Sequence, residues 1–481
     1  MQALYSQYAV IFEKIVYRMT DWCPDLTNSN SPRYIAIADS IEDDISAGRL
    51  GAGDRLPAQR QLASSLGLDF TTVARGYAEA RRRGIISSQV GSGTFVTKPG
   101  DSEAAAQSRD PRRTCTPDFS MNLPPEPTDA ALTAKMQEGF AALTSDLFPL
   151  LRYQTFETSE LDSRAAVKWL ESVGLSPSPE QVLYSPGAQS ALINALVSFT
   201  YPGDKIACEN ITYPGIRSVC AQLNLNLLGL ETDEGGILTE AFEKACRMQD
   251  IKALYVNPTL HNPTARTVPY QRRKDLAAIA QRFGIPILED DAYGQLSNKA
   301  PLPFAAIAPD VTWYIGSLSK CLGAGLRLAY VLAPNKGMAW QFSRAVRTSQ
   351  VMVSPLSIAL ATRWIEDGTA SELRDRIRSE STARQIMATK RLAGHEFSSD
   401  SDGFHLWLTL PNDWSRSTFV SQTRSLQIGI VESDAFAVVG AAPEAVRISL
   451  GGPITREQLA NSLDVVAHTL NASPQRASVY F

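Results

Sequence analysis

From about residue 120 to the carboxyl terminus the sequence alternates short β-prone runs with longer helical stretches. The runs include Lys205–Ala207, Ala253–Val256, Ile285–Leu288 and Trp313–Ile315. Alternation sustained over roughly 360 residues calls for helical crossovers between neighbouring strands. It therefore predicts an α/β domain with a largely parallel sheet. Such a sheet delivers the carboxyl ends of its strands to one edge, where ligands bind. Chemically useful residues about thirty positions apart can then converge.

Three run ends carry complementary groups. The segment ALYVNPTLHNPTA supplies Asn262. The segment IPILEDDAYG supplies Asp290 and Tyr293. The segment WYIGSLSKCLGAGLRLAYV supplies Ser317, Ser319, Lys320 and Arg327. An apolar-flanked lysine can form a Schiff base with an aldehyde cofactor. A carboxylate can hold a pyridine nitrogen protonated. An asparagine and a tyrosine can hydrogen-bond a phenolic oxygen. Serines and an arginine can bind a phosphate dianion. SPGAQSAL offers a second cradle, where Gly187, Ala188 and Gln189 open a helix and present free N–H groups. The Asp290-Asp291 doublet leaves two choices for the carboxylate.

The amino-terminal part has a different character. Residues 1–30 form an extension, and its first part could be a short helix. Helices fit Pro32–Ala47, with Ser31 as N-cap, then Pro57–Leu66, then Phe70–Arg83 with Asp69 as cap. A hairpin fits Ile85–Val90 and Thr94–Thr97 around Gly91-Ser92-Gly93. Residues 31–98 thus form one module, a polar linker spans 99–119, and the α/β domain occupies 120–481. The overall charge of -4 does not advertise a nucleic-acid binder. The charge is nonetheless lopsided within this module. Asp39, Glu42, Asp43 and Asp44 lie on the first helix, whereas Arg55, Arg60, Arg75 and Arg81-Arg82-Arg83 come later. Phosphate binding needs such a local cationic face. Taken alone, the triple-arginine run fits a solvated helix face equally well.

The stretch GDRLPAQRQLASSLGLDFTTVARGYAEARRRGIISSQVGSGTFV resembles the winged helix-turn-helix of the GntR family. The resemblance implies that Arg55, Arg60, Thr71, Thr72 and Arg75 meet DNA phosphates or bases, and that Gly93 lies in the wing. Phe70 stands where many relatives carry a basic or polar residue. Residues 120–481 resemble fold-type-I aminotransferases that use pyridoxal 5'-phosphate. The anchors are S-x-S-K with an arginine seven positions on, D-x-A-Y about thirty residues earlier, and N-P-T before that. Lys320 is then the cofactor-linked, catalytic lysine, and Asp290 the partner of the ring nitrogen. Asn262 and Tyr293 hold the phenolic oxygen. Ser317, Ser319 and Arg327, with the Gly187-Ala188-Gln189 cradle, hold the phosphate. Tyr213, in ITYPG, stacks on the ring. Arg447, in VRISL, clamps a substrate carboxylate with help from Asn262. Tyr153 reaches the phosphate of the partner in a homodimer. Two positions depart from the pattern. Ala265 replaces the usual glycine of N-P-T-G, and no glycine occurs in RYQTFETSELDSR after Tyr153.

The fusion resembles the MocR-like subfamily of GntR regulators. That implies an operator of double-stranded DNA and an amino acid or amine effector sensed through an aldimine at Lys320. An active aminotransferase carrying a DNA-binding domain is the competing expectation, and a constitutive DNA binder with a vestigial domain is a third. The six cysteines show no C-x-x-C pair, and Cys321 reads as a packing residue beside the lysine. The four dispersed histidines give no metal site. No apolar run has the length of a membrane span, and no cleavage pattern follows Tyr8–Met19, so a cytoplasmic location is expected.

Overall fold

The computed structural model describes residues 22–26, 31–51, 53–83, 85–89, 93–96, 120–155, 159–411, 413–424, 426 and 428–472. The extension before residue 22, the turn residues Gly91 and Ser92, and the linker at 99–119 lie outside them. The chain divides into two compact units, Met1–Thr116 and Pro117–Phe481.

The first unit contains α1 (Arg33–Ser46), β1 (Arg55–Leu56), α2 (Gln59–Leu66), α3 (Phe70–Arg82), β2 (Ile86–Gln89) and β3 (Gly93–Val96). The strands form an antiparallel sheet in the order β1-β3-β2. Helix α1 buries Ala36, Ile37, Ala38 and Ile41, of which Ile37 and Ile41 stand one turn apart on the same face. Val73, Tyr77 and Ala80 of α3 belong to the same core. Asp69 caps α3 by accepting from the Thr71 N–H. Gly67, at φ 61°, ends α2 in the left-handed conformation.

Three sequence expectations need correction here. Ser31 is not the cap of α1. Pro32 takes that position and gives no side-chain bond. Helix α2 begins at Gln59, not Pro57, because Arg55 and Leu56 pair with Phe95 and Thr94 as a third strand of the wing sheet. The Pro57 carbonyl accepts from the buried Tyr77 hydroxyl at 2.9 Å. Arg83 is no solvated member of a phosphate-binding run. Its guanidinium lies 2.7 Å from Asp39, 2.9 Å from Glu42 and 3.1 Å from Glu79. These pairs tie the end of α3 to the acidic face of α1.

Helices α1 and α3 pack tightly at Gly76. A Cβ there would lie 3.0 Å from Ile37 Cβ and 3.1 Å from the Tyr34 carbonyl. Gly76→Leu is therefore expected to destabilise this unit by roughly 1–3 kcal/mol through overpacking. Calorimetry of the full chain reads this as a lowered transition for the first unit with the second unchanged.

The second unit is built on a seven-stranded sheet. Its elements include α4 (Ala130–Leu143), α5 (Glu160–Glu171), β4 (Val182–Ser185), α6 (Ala188–Val197), β5 (Lys205–Glu209), α7 (Pro214–Gln222), β6 (Asn226–Leu230), β7 (Ile251–Val256), β8 (Ile287–Asp290), β9 (Thr312–Ser317) and β10 (Ala329–Leu332). The strand order is β4-β10-β9-β8-β7-β5-β6. Only β10 runs antiparallel to its neighbours, so the largely parallel sheet is observed. Strand β8 is buried along its whole length, as a central parallel strand covered on both faces must be.

Helix α8 (Thr369–Arg391) leads into a smaller four-stranded antiparallel sheet. Its strands are β11 (Phe397–Ser399), β12 (His405–Thr409), β13 (Ile430–Glu432) and β14 (Ala445–Ser449), in the order β11-β12-β14-β13. The early turns of α8 place Leu373 and Ile377 in the large core. The last turns place Ala388 in the small one. One continuous helix thus fixes the small sheet against the edge where the large sheet presents its strand ends.

Candidate cofactor site and nucleic-acid interface

Strand polarity assembles the site. Asp290 ends β8 and Ser317 ends β9. Ser185 ends β4, two residues before Gly187, which is the N-cap of α6. Tyr213 follows β5 as the N-cap of α7. Arg327 precedes β10, whose reversed direction starts it at this same edge. From the small sheet, β14 supplies Arg447.

Lys320 is half-buried, and its Nζ donates to the Asn122 carbonyl at 2.5 Å. Burial, aided by Arg447 and opposed by Asp290, lowers its pKa to about 8. Asp290 is 3% exposed. Its Oδ2 accepts from the Tyr255 hydroxyl at 2.9 Å, while its Oδ1 has no partner. Burial, with the charge of Asp291 added, raises its pKa to about 6, against the pull of Tyr255 and Lys320. The two carboxylates of the doublet have different partners. Asp291 Oδ2 accepts from Tyr314 at 3.1 Å.

Asn122 organises the remaining contacts. Its Nδ2 donates to Tyr293 Oη at 2.9 Å and reaches His405 Nδ1 at 3.1 Å. Its Oδ1 accepts from Ser449 Oγ at 2.9 Å. Tyr293 thus accepts a bond and keeps its own proton to donate. Burial pushes the pKa of that phenol up to about 12. His405 Nε2 lies 3.1 Å from the His261 carbonyl. Burial lowers the His405 pKa to about 3, so the ring is neutral and this nitrogen carries the proton. Asn257 holds the backbone on both sides, accepting from Asn262 N at 2.9 Å and donating to the Asp290 carbonyl at 2.5 Å.

Arg447 is 4% exposed. It donates to Asn262 Oδ1 at 3.1 Å and to the Ser120 carbonyl at 2.6 Å, with its Nε unpartnered. Its guanidinium lies 5.3 Å from the Phe436 ring centroid. At the opposite end, Gly187 has φ 89°, and a Cβ there would lie 2.9 Å from Arg327 Nη2. A side chain at 187 would displace the arginine from the opening turn of α6. The first-turn N–H groups of Ala188 and Gln189 have no carbonyl within the helix to bond. Ser317 Oγ accepts from the Ser319 N–H at 3.2 Å. Tyr213 is half-buried, and its phenol is raised by burial and by Asp290 against Arg327 and Arg447.

Ala265, at the departure from N-P-T-G, is buried with φ 58°. Glycine would adopt this backbone freely, whereas alanine holds it at a cost of about 1 kcal/mol. Cys321 is fully buried, and burial raises its thiol to about 12, which leaves packing as its role. Tyr153 is 81% exposed and does not join the other site residues within one chain.

The donor set fits pyridoxal 5'-phosphate. A buried carboxylate oxygen without a partner suits a protonated ring nitrogen. A tyrosine with a free proton suits the phenolic oxygen. A glycine-lined helix start beside an arginine suits the phosphate. Asn122, Tyr255, Asn257, His405 and Ser449 were not identified from sequence. Asn257 heads an N-P-T of its own in ALYVNPTLHNPTA, and Ser449 lies in VRISL beside Arg447, so part of the signal was present, whereas Asn122 and His405 stand in no such run.

In the first unit, Thr71 and Arg75 are exposed on the opening turns of α3, and Thr72 is half-buried. The Thr71 hydroxyl is committed to Asp69. Arg75 lies 4.7 Å over the Tyr34 ring, and Arg60 lies 6.0 Å from the ring of Phe70. Gly93, at φ 122°, leaves room for Arg55, whose Nε would sit 2.7 Å from a Cβ there.

Residues 33–96 match the family of bacterial regulatory proteins, gntR family, and residues 118–466 match aminotransferase class I and II. The HTH-type transcriptional regulator YdeF of Bacillus subtilis is 31% identical over 452 residues, covering 94% of this chain and 97% of that protein. The vitamin B6 salvage pathway transcriptional repressor PtsJ of Salmonella typhimurium is 28% identical, covering 86% and 93%. Among solved structures, α-aminoadipate aminotransferase LysN of Thermus thermophilus shares the fold of the second unit. Its TM-score is 0.66 at 22% identity, covering 73% of this chain and 91% of that one. No helix among the described residues is long and apolar enough to cross a membrane. The chain belongs to the MocR-like regulators, in which a GntR-type winged helix-turn-helix precedes a pyridoxal-phosphate-dependent aminotransferase fold.

Proposed function

We propose that this chain is a DNA-binding transcription regulator that carries its cofactor on Lys320 and senses an amino acid through it. The carrying observation is Asp290, a buried carboxylate with one unpartnered oxygen, set in the field of Lys320. When bound, the cofactor supplies an aldehyde for condensation with a primary amine and a ring that withdraws electrons. The residues supply the rest. Lys320, held near 8, keeps an unprotonated fraction at neutral pH that a surface lysine lacks. Asp290 Oδ1 would accept a hydrogen bond from a protonated ring nitrogen. Tyr293 would donate to the phenolic oxygen, and Tyr213 would cover the ring. Arg327, Ser317, Ser319 and the start of α6 would bind the phosphate. Arg447 offers its guanidinium to an effector carboxylate beside Asn262, which favours an amino acid over a simple amine. Arg55, Arg60, Thr71, Thr72, Arg75 and Gly93 form the DNA-facing set.

The reading extends to a homodimer. Leu147, Phe148, Leu151 and Tyr153 are exposed by 40%, 77%, 58% and 81%, an apolar run of the kind an interface covers. Regulation requires the effector to bind two conformations of the protein unequally. Arg447 on the small sheet and Lys320 on the large one give a ligand a hold on both. Two relatives are named as regulators of pyridoxine biosynthesis and vitamin B6 salvage, which supports a sensing role for the cofactor.

The test is a visible spectrum of the full chain titrated with amino acids and with simple amines, run beside operator retention. Amino acids are expected to shift the spectrum and change retention. Arg447→Met should weaken the amino acid response by roughly 30- to 1,000-fold, the equivalent of about 2–4 kcal/mol, while leaving the amine response intact. An equal loss for both classes, or retention indifferent to every ligand, would overturn the reading. The complete lysine–arginine pair also supports a second reading, a working aminotransferase, which steady keto acid production with two substrates would establish.

A further inference from the structure

Separate from the Lys320 site lies a cavity of about 400 Å³, within the usual range of small-ligand sites. Its walls are the end of α5 at Ser172–Gly174, the loop 294–303, and the early turns of α8 at Arg374 and Arg378. Asp291 lines it, 4% exposed; Tyr314, the Thr259 hydroxyl and the Gly294 N–H hold its carboxylate, and its Oδ1 is left without a hydrogen bond. Gly294 makes this possible, because a Cβ there would collide with the Asp291 carboxylate.

The charges form a dipole across the cavity. Arg273, which does not line the cavity, is fully buried 3.7 Å from Glu289 and its charge also acts on Asp291. One guanidinium therefore serves two buried carboxylates, and Asp291 is short of a positive partner. On the wall, Arg374 and Arg378 have side chains only 16% exposed and share the single carboxylate of Asp375, at 3.1 and 3.0 Å. Arg378 is otherwise fixed by the Leu296 and Gln295 carbonyls, with Asp402 nearby. Arg374 stacks over Trp169 at 5.6 Å and makes only a 3.5 Å contact to Gln295 Oε1 besides Asp375. Its guanidinium thus keeps donors to spare. A bare anion would satisfy the wall and meet repulsion at Asp291. A bare cation would do the reverse.

We propose that this cavity is a second ligand site, for a small zwitterion whose anionic end rests on Arg374 and Arg378 and whose ammonium meets Asp291 Oδ1. It is separate from the Lys320 site, although Asp290, the last residue of β8, and Asp291 are consecutive. Its occupant adds positive charge beside the carboxylate next to the cofactor's aspartate. That gives the protein a means of adjusting the cofactor site without entering it.

The test uses ω-dimethylamino acids, from N,N-dimethylglycine to its homologues three carbons longer. A tertiary amine keeps an N–H for Asp291 but cannot condense with an aldehyde. Calorimetry of the cofactor-loaded full chain is expected to show one site per chain for at least one homologue at millimolar concentration. Arg374→Met and Asp291→Asn should each weaken that binding about tenfold or more. Arg447→Met should leave it unchanged. The visible spectrum with cofactor and with a primary amino acid should persist in Arg374→Met, which shows the variant to be folded. Binding lost only in Arg447→Met would place the probe in the Lys320 site and overturn the proposal. So would binding indifferent to Arg374→Met, or none for any homologue. Failure of the Lys320 reading would show separately, as a colourless protein that still binds the probe.

Discussion

Lys320→Ala is expected to give a folded protein with no cofactor-linked visible band and no operator response to any amino acid. The side chain is the only amine in the cluster, and it sits at the strand end where ring, phosphate and carboxylate contacts meet. Its removal leaves the phosphate contacts of Arg327 and the α6 start, so the cofactor still binds, but without a covalent link. An affinity loss of about a hundredfold or more corresponds to roughly 2.7 kcal/mol. Stability should change little. The substitution deletes one bond to the Asn122 carbonyl but also removes an amine whose lowered pKa marks its charge as costly there. Absorbance, equilibrium dialysis of the cofactor and operator retention read the three effects. A variant that kept both its colour and its amino acid response would remove Lys320 from the centre of the site.

What the sequence discloses and what it withholds follow from the range of the interactions. Periodicity and strand-end chemistry are local, so the parallel sheet and the convergence of Asn262, Asp290, Tyr293, Lys320 and Arg327 were legible. The choice between Asp290 and Asp291 rested on motif spacing, and the two carboxylates prove to have different partners, Tyr255 and Tyr314. Asn122 was invisible. Its partners are Tyr293, Lys320, His405 and Ser449, from 171 to 327 positions away, and no local pattern marks a residue defined by such contacts. His405 is a neutral core histidine serving one asparagine, a role composition does not reveal. In the first unit the basic run read as one feature, but folding separated it. Arg83 turned to the acidic face of α1, because a carboxylate cluster 41 and 44 residues earlier lay opposite it. The β1 strand was missed for a similar reason. Two residues pair only because β3 returns beside them.

Asp290→Asn should act in opposite directions on the cofactor-free fold and on cofactor binding. In the cofactor-free protein the carboxylate is buried with one oxygen unpartnered, and its pKa is raised from 3.8 to about 6. The folded state therefore binds the proton more tightly than the unfolded chain. As pH rises from about 4 to about 6, the unfolded chain gives up this proton first, and the native state loses stability relative to a neutral side chain. A shift of this size corresponds to at most about 3 kcal/mol. Asparagine keeps an acceptor for the Tyr255 hydroxyl and carries no charge. Cofactor-free Asp290→Asn is thus expected to match the parent below about pH 4 and to exceed it by roughly 1–3 kcal/mol above about pH 6. Denaturant midpoints across that window read the difference. With cofactor present the order reverses, because an amide cannot hold the ring nitrogen protonated. The variant should then bind the cofactor more weakly and gain less stability from it than the parent does. A cofactor-free variant less stable than the parent at neutral pH would mean that the buried carboxylate already has a stabilising partner. Asp290 would then be a structural residue and not an acceptor awaiting its ligand.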